Sequence, residues 1–214
     1  MTVNGLRRIL VLAPHTDDAE LGCGGTLSRL VEQGHEVFVA VFSIASDSLP
    51  DEYPRDTLKH EFFSAMQTMG ISNKNALVRE YPVRRLVEYR QDILEELVAL
   101  RKQISPNMVF LPCEQDIHQD HHVIYAEGVR AFKNTSVLGY ELFWNNLSFA
   151  PQLIVSLEER HLAHKWEMLQ AYNSQVELGR RYFSRELVYG LARVRGVQAG
   201  KEFGEAFQVI RLNV

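Results

Sequence analysis

Between residues 10 and 27 the chain reads LVLAPHTDDAELGCGGTL, so an apolar run stops at Pro14 and His15, Asp17, Asp18 and Glu20 follow within six positions. Imidazole and carboxylate groups ligate divalent metals and move protons near neutral pH. One aspartate would be enough to cap a helix starting here. Two adjacent carboxylates repel each other unless something positive lies between or beside them. A second cluster stands in PCEQDIHQDHH (112–122), which supplies Glu114, Asp116, His118, Asp120, His121 and His122. Alone it reads as a solvated polar loop. Together the clusters contain a mixed His and Asp ligand set with an open position, the pattern of a catalytic zinc site.

For that chemistry the clusters must meet, and the surrounding pattern says how. RILVLA (8–13) is a continuous β-rich apolar run, as expected of a strand buried on both faces. A helix follows over 19–33 with Gly34 as its C-terminal cap, then a strand at 36–43 and a polar loop at 43–56. Helical spacing recurs at 57–69 and 85–104, with a short strand at 76–79 between them. NMVFLP (107–112) is the fourth strand, a helix covers 121–132, and SVLGYE (136–141) is the fifth strand. Alternating strands and helices predict an α/β, Rossmann-like, mainly parallel sheet of about five or more strands flanked by helices. The C-terminal part, with a strand at 152–157 and a helix near 158–171, reads as an α+β cover on one domain spanning 1–214. In strand order 3-2-1-4-5 the first and fourth strands are neighbours at the switch point, where such sheets bind ligands. The loops carrying His15–Asp18 and His118–His121 then face each other.

His15, Asp18 and His121 would form a two-histidine, one-carboxylate metal set, suited to zinc and compatible with ferrous iron or another divalent metal. Asp17 would stay off the metal and take a proton from attacking water. His118 could point at the developing oxyanion, with Asp120 orienting it. Cys113, at a strand end, reads as a small buried residue, and His60, His161 and His164 as surface or packing residues on helices. His122 reads as a packing residue beside the site. The glycines of GCGGT (22–26) fall inside the helix rather than at its opening turn, so they favour close helix packing over a phosphate-binding turn.

The net charge of −4 argues against a general nucleic-acid binder. No stretch approaches the roughly 18 apolar residues of a membrane span, and the apolar run near the start is too short for a signal peptide. Two cysteines without a secretion signal read as reduced thiols in a cytoplasm, where the NTS and NLS triplets at Asn134 and Asn146 carry no glycan. A homo-oligomer is left open.

With these residues in place the chain resembles the PIG-L/LmbE-like deacetylase family. The resemblance rests on PHTDDAE (14–20) with its glycines and on HQDH (118–121), and continues through HEFFSAMQTMGI (60–71), YE (140–141), NSQ (173–175) and residues 195–207. It implies an incomplete Rossmann-like sheet and metal-dependent removal of N-acetyl groups, usually from N-acetylglucosamine-type sugars or their conjugates. By motif position it gives His15, Asp18 and His121 as metal ligands, Asp17 as general base and His118 as the oxyanion-stabilising histidine. Departures are Thr16 in place of a proline, Glu20 shifted by Ala19, and Leu58 where an arginine is common, with Arg55 one turn earlier. The expected activity is a zinc-dependent N-deacetylase acting on a small acetamido sugar or glycoconjugate and releasing acetate. Two alternatives remain: a metal-dependent phosphoester hydrolase, which would enlist Glu20, Asp116 and Asp120 around a second ion, and a non-catalytic sugar-binding module. Substrate choice is expected in the loops 44–56, 80–86 and 141–150.

Overall fold

A computed structural model of the protein describes residues 7–213; residues 1–6, part of the segment read as lacking a signal peptide, lie outside it. In chain order the elements are β1 (Arg8–Ala13), α1 (Asp18–Glu32), β2 (Glu36–Val41), α2 (Thr57–Thr68), β3 (Ala76–Val78), α3 (Arg90–Ile104), β4 (Met108–Pro112), α4 (Gln119–Ala131), β5 (Ser136–Tyr140), β6 (Leu153–Leu157), α5 (Glu159–Gln170), α6 (Asn173–Glu177), α7 (Arg185–Gln198) and β7 (Phe203–Arg211). The seven strands form one sheet in the order β3-β2-β1-β4-β5-β7-β6. Strands β1 to β5 pair in parallel, while β7 runs antiparallel to both β5 and β6.

The apolar runs read as doubly buried strands divide between two cores because successive side chains point to opposite faces. Ile9, Val11 and Ala13 of β1 enter one core, with α1, α2 and α5, whereas Leu10 and Leu12 enter the other, with α3 and α4. None of the five is more than 2% exposed. Truncating such a side chain, Leu97 of α3 for example, costs about 2–5 kcal/mol through lost burial and the cavity left behind.

Two local features differ from the sequence expectation. The helix expected over 85–104 is a 3-10 turn, Leu86–Tyr89, followed by α3. Its delayed start follows from Arg84, whose left-handed φ of 66° turns the N–H groups of Arg84 and Leu86 onto Asp120. The C-terminal cover adds two strands to the sheet's own edge, with α5 packed on α1 and α7 on β7.

The GCGGT glycines do seat the helix closely. A Cβ on Gly22 would lie 2.4 Å from Tyr140 Cδ2, and one on Gly25 would lie 2.6 Å from Leu157 Cδ1. α1 is kinked at Cys23 (φ −145°, ψ 18°), and the N–H groups of Gly25 and Thr26 donate to the Glu205 carboxylate at 3.0 and 2.6 Å. Lys165 Nζ offsets that buried charge, 2.7 Å from Glu205 Oε1. Among the described residues no helix is long and apolar enough to cross a membrane.

Candidate metal centre

β1 and β4 are hydrogen-bonded neighbours, so the turns leaving their carboxyl ends open on the same edge of the sheet. One turn carries His15, Asp17 and Asp18, and the other carries Asp116, His118, Asp120 and His121. Neither aspartate of the first turn acts as a side-chain cap. Asp17 occupies the N-cap of α1 without a capping hydrogen bond. Asp18 folds back, its Oδ2 accepting the His15 N–H at 2.8 Å. His118 is the N-cap of α4, its Nδ1 accepting the Asp120 N–H at 3.2 Å.

Three donor atoms converge. His15 Nδ1 lies 3.2 Å from Asp18 Oδ2, His121 Nε2 lies 3.3 Å from the same oxygen, and the two nitrogens are 3.3 Å apart. With bonds of about 2.0–2.2 Å, a tetrahedral zinc separates its ligand atoms by about 3.3–3.6 Å. The triangle therefore fits a divalent ion and leaves a further position free. A ring nitrogen of His118 also falls within 4.8 Å of those of His15 and His121, which makes it an alternative third ligand.

Each histidine of the triangle is held from behind by a buried carboxylate. His15 Nε2–H donates to Asp120 Oδ2 at 3.0 Å, and His121 Nδ1–H donates to Asp116 Oδ2 at 2.7 Å. Such pairs fix the tautomer, so the inward nitrogen is free to ligate. Asp116 also accepts the His118 N–H at 2.9 Å. Asp120 also accepts the N–H groups of Arg84 (2.6 Å) and Leu86 (3.2 Å).

The electrostatics follow from this crowding. Burial opposes charge on His15 and His121, but the surrounding carboxylates outweigh it and push them up to about 9 and about 10. Burial opposes charge on Asp18 too, yet the His121 and His15 charges and hydrogen bonds hold it well below the usual carboxylate range. Burial, then the charge of Asp18, pushes Asp17 up to about 7. Burial raises Glu20 to about 8, although Tyr172 O–H donates to it at 2.7 Å.

The expected role of Asp120 needs correction. Its carboxylate grips His15, and only its backbone N–H reaches His118. Nor is the His118 imidazole charged through a carboxylate partner: burial, then the charges of His121 and His15, pushes it down to about 4. In the neutral ring an accepting Nδ1 leaves the proton on Nε2. His122 is exposed rather than packed. Cys113 and Cys23 are buried free thiols. His60 is exposed, whereas His161 caps α5 with Glu158.

The cleft over the triangle measures about 250 Å³. All three loops expected to choose substrate contribute to its lining, through Ala45 and Ser48, Val83 and Arg84, and Trp144 and Asn145. Leu58 lines it as well, while Arg55 points elsewhere and pairs with Asp47. Gln175, the last residue of NSQ, comes from the C-terminal part, as do Arg180 and Tyr182, which no sequence motif marked. Trp144 and Tyr182 stack at 4.4 Å with planes 15° apart and form an aromatic wall. The support role of Asp116 was also missed; its place five residues before a candidate ligand histidine was the available signal.

The profile of the PIG-L family, described as GlcNAc-PI de-N-acetylase, matches residues 10–132. The chain belongs to the PIG-L family. The matched span runs from β1 to the end of α4, so this family region contains the whole triangle and both supporting carboxylates. The chain is 25% identical over 177 residues to the uncharacterized deacetylase YaiS of Escherichia coli, covering 81% of this chain and 94% of YaiS. Its fold matches the conserved protein TT1542 from Thermus thermophilus with a TM-score of 0.79, 25% identity and 98% of each chain covered. N,N'-diacetylchitobiose deacetylase from Pyrococcus horikoshii shares the fold at a TM-score of 0.77 and 19% identity, over 95% of this chain and 84% of that one.

Proposed function

We propose that this PIG-L member is a metal-dependent N-deacetylase that hydrolyses the acetamido group of an N-acetylglucosamine-type sugar or sugar conjugate and releases acetate. The observation that carries the reading is the triangle of His15 Nδ1, Asp18 Oδ2 and His121 Nε2, with both histidines backed by carboxylates. A divalent ion, with zinc the first candidate, would supply a Lewis acid there that polarises the amide carbonyl and the attacking water.

The protein's own residues supply the proton transfers. Asp17 lines the cleft with a carboxylate unused in capping and pushed to about 7, so at neutral pH it exchanges protons readily. It takes the proton of the attacking water and returns it to the leaving nitrogen. His118, with Nδ1 occupied by the Asp120 N–H, presents Nε2–H to the carbonyl oxygen as that oxygen becomes anionic. A neutral imidazole performs this task, so His118 needs no positive charge. The Trp144–Tyr182 wall offers a flat apolar surface for a sugar ring.

The carboxylates that a two-ion phosphoesterase would enlist have other partners. Asp116 holds His121, Asp120 holds His15, and Glu20 sits against Tyr172. A non-catalytic module would have no use for an uncapped Asp17 raised toward neutrality beside the triangle. The test is acetate release by the zinc-loaded protein across free and conjugated N-acetylglucosamine, with elemental analysis in parallel. One ion per chain with acetate release is expected, and His121→Ala should lose both. Two ions per chain, or one bound ion with no acetate from any substrate, would overturn the reading.

A further inference from the structure

The lining of the cleft includes two cations that the proposed chemistry leaves unused. Arg84 and Arg180 both line it, and both are exposed. Their guanidinium groups approach the same short loop: Arg84 Nη2 donates to Asp47 O at 3.3 Å, and Arg180 Nη2 donates to Ser48 O at 3.4 Å. Two like charges are thus tethered to the carbonyls of adjacent residues. Among the described residues neither arginine has a carboxylate partner, and the Asp47 carboxylate that could serve is paired with Arg55 at 2.5 Å.

Arg84 is also placed at a cost. Its φ of 66° lies in the left-handed region that side-chain-bearing residues rarely adopt, and such a conformation persists only where neighbours over-determine it. Here the Arg84 N–H is fixed by Asp120, and its carbonyl accepts from Gln119 Nε2 at 3.5 Å. The support that orients His15 therefore also aims Arg84 into the cleft. An arginine fork matches the oxygens of a phosphate or carboxylate, and two forks converging without an internal anion make a receptor for one.

Resting on the deacetylase reading of the same cleft, we propose that the substrate carries an anionic oxyacid group, bound by Arg84 and Arg180 while its acetamido group faces the histidines. The cleft then offers guanidiniums for the anion as well as the carboxylate and histidines for the acetamido group. Specificity for a charged substrate follows from a rim that neutral sugars leave unmatched.

The experiment is calorimetric titration of the metal-free protein with N-acetylglucosamine, its 1-phosphate, its 6-phosphate and N-acetylmuramic acid, the last carrying a carboxylate. At least one anionic sugar should bind roughly ten- to hundredfold more tightly than N-acetylglucosamine, and which one identifies the group and its position. The preference should shrink as ionic strength rises. Arg84→Gln and Arg180→Gln should each reduce it and the double variant should abolish it. Lys59→Gln, whose lysine pairs with Glu80 outside the cleft, should keep it. Equal binding of neutral and anionic sugars, no binding of any, or a preference that survives in the double variant would overturn the proposal. Acetate release by the metal-loaded protein is scored separately, so a failed deacetylase reading and a failed anion site give different results.

Discussion

Asp120→Asn separates two roles for one carboxylate. The side chain is fully buried, with Oδ2 accepting from His15 Nε2 and the Arg84 N–H, and Oδ1 from the Leu86 N–H. An asparagine has one acceptor oxygen for these donors. Its better orientation keeps His15 and Arg84 and turns the amide NH2 against the Leu86 N–H, leaving a buried donor unsatisfied at about 1–3 kcal/mol of stability. The neutral amide also stops raising the basicity of His15. Loss of such an outer partner lowers metal affinity about 10- to 100-fold, or about 1.4–2.7 kcal/mol. Zinc affinity is measured by competition with a chromophoric chelator, and turnover is measured at saturating zinc. Asp116→Asn, acting on His121, should show a loss of the same size. A carboxylate that served His118 would instead leave zinc affinity unchanged and lower turnover alone. Unchanged zinc affinity in Asp120→Asn would refute the reasoning.

Asp17→Asn and His118→Ala should both retain zinc by elemental analysis while losing about two and about two to three powers of ten in turnover, as for a lost general base and a lost oxyanion donor. If His118→Ala loses the ion and Asp18→Asn keeps it, His118 is the third ligand. Zinc binding near pH 7 should release close to two protons per ion, because His15 and His121 sit at about 9 and about 10 in the metal-free protein and ligate only when neutral. Calorimetry in buffers of different ionisation enthalpy counts them, and release of fewer than one would contradict the triangle. In the metal-free protein both pKa values exceed the unfolded value of about 6.5, so the stability these histidines contribute is complete below that pH. It should fade as pH rises through about 9 and about 10, which thermal melts would follow.

The parts of the fold legible in the sequence were those governed by local period. β1 and β4 announce themselves as apolar runs bounded by proline or polar residues, and the neighbourhood of β1 and β4 follows from the topology of parallel sheets. β7 was invisible because FGEAFQVIR carries no clean alternation: Gly204 makes room for Ile154 of β6, and Glu205 is there to hold the N–H groups of α1. The partner of Asp120 was misread for a reason helix geometry supplies. His118 is the N-cap of α4, with extended backbone outside the helix, and its Nδ1 takes the Asp120 N–H, so the Asp120 carboxylate is left for His15. Arg84 and Trp144 lie in loops expected to meet substrate, whereas Arg180 and Tyr182 belong to the cleft only through long-range contacts, which neither composition nor spacing encodes.

The same long-range contacts explain how so many charges coexist in one buried site. The carboxylates of Asp18, Asp116 and Asp120 surround two histidines that are positive when no metal is bound. Both inward nitrogens address a single oxygen, Asp18 Oδ2, so two protons occupy the region on which a divalent ion would draw. Exchanging two protons for one divalent cation leaves the local charge unchanged, and neither state buries a charge the other does not. The carboxylates behind His15 and His121 need not move, since their hydrogen bonds use the nitrogens that face away from the centre. The ligand atoms can therefore stand at coordinating separations in the metal-free fold. That preorganisation belongs to the buried aspartates, and it makes Asp116 and Asp120 as much a part of the site as the residues that would touch the ion.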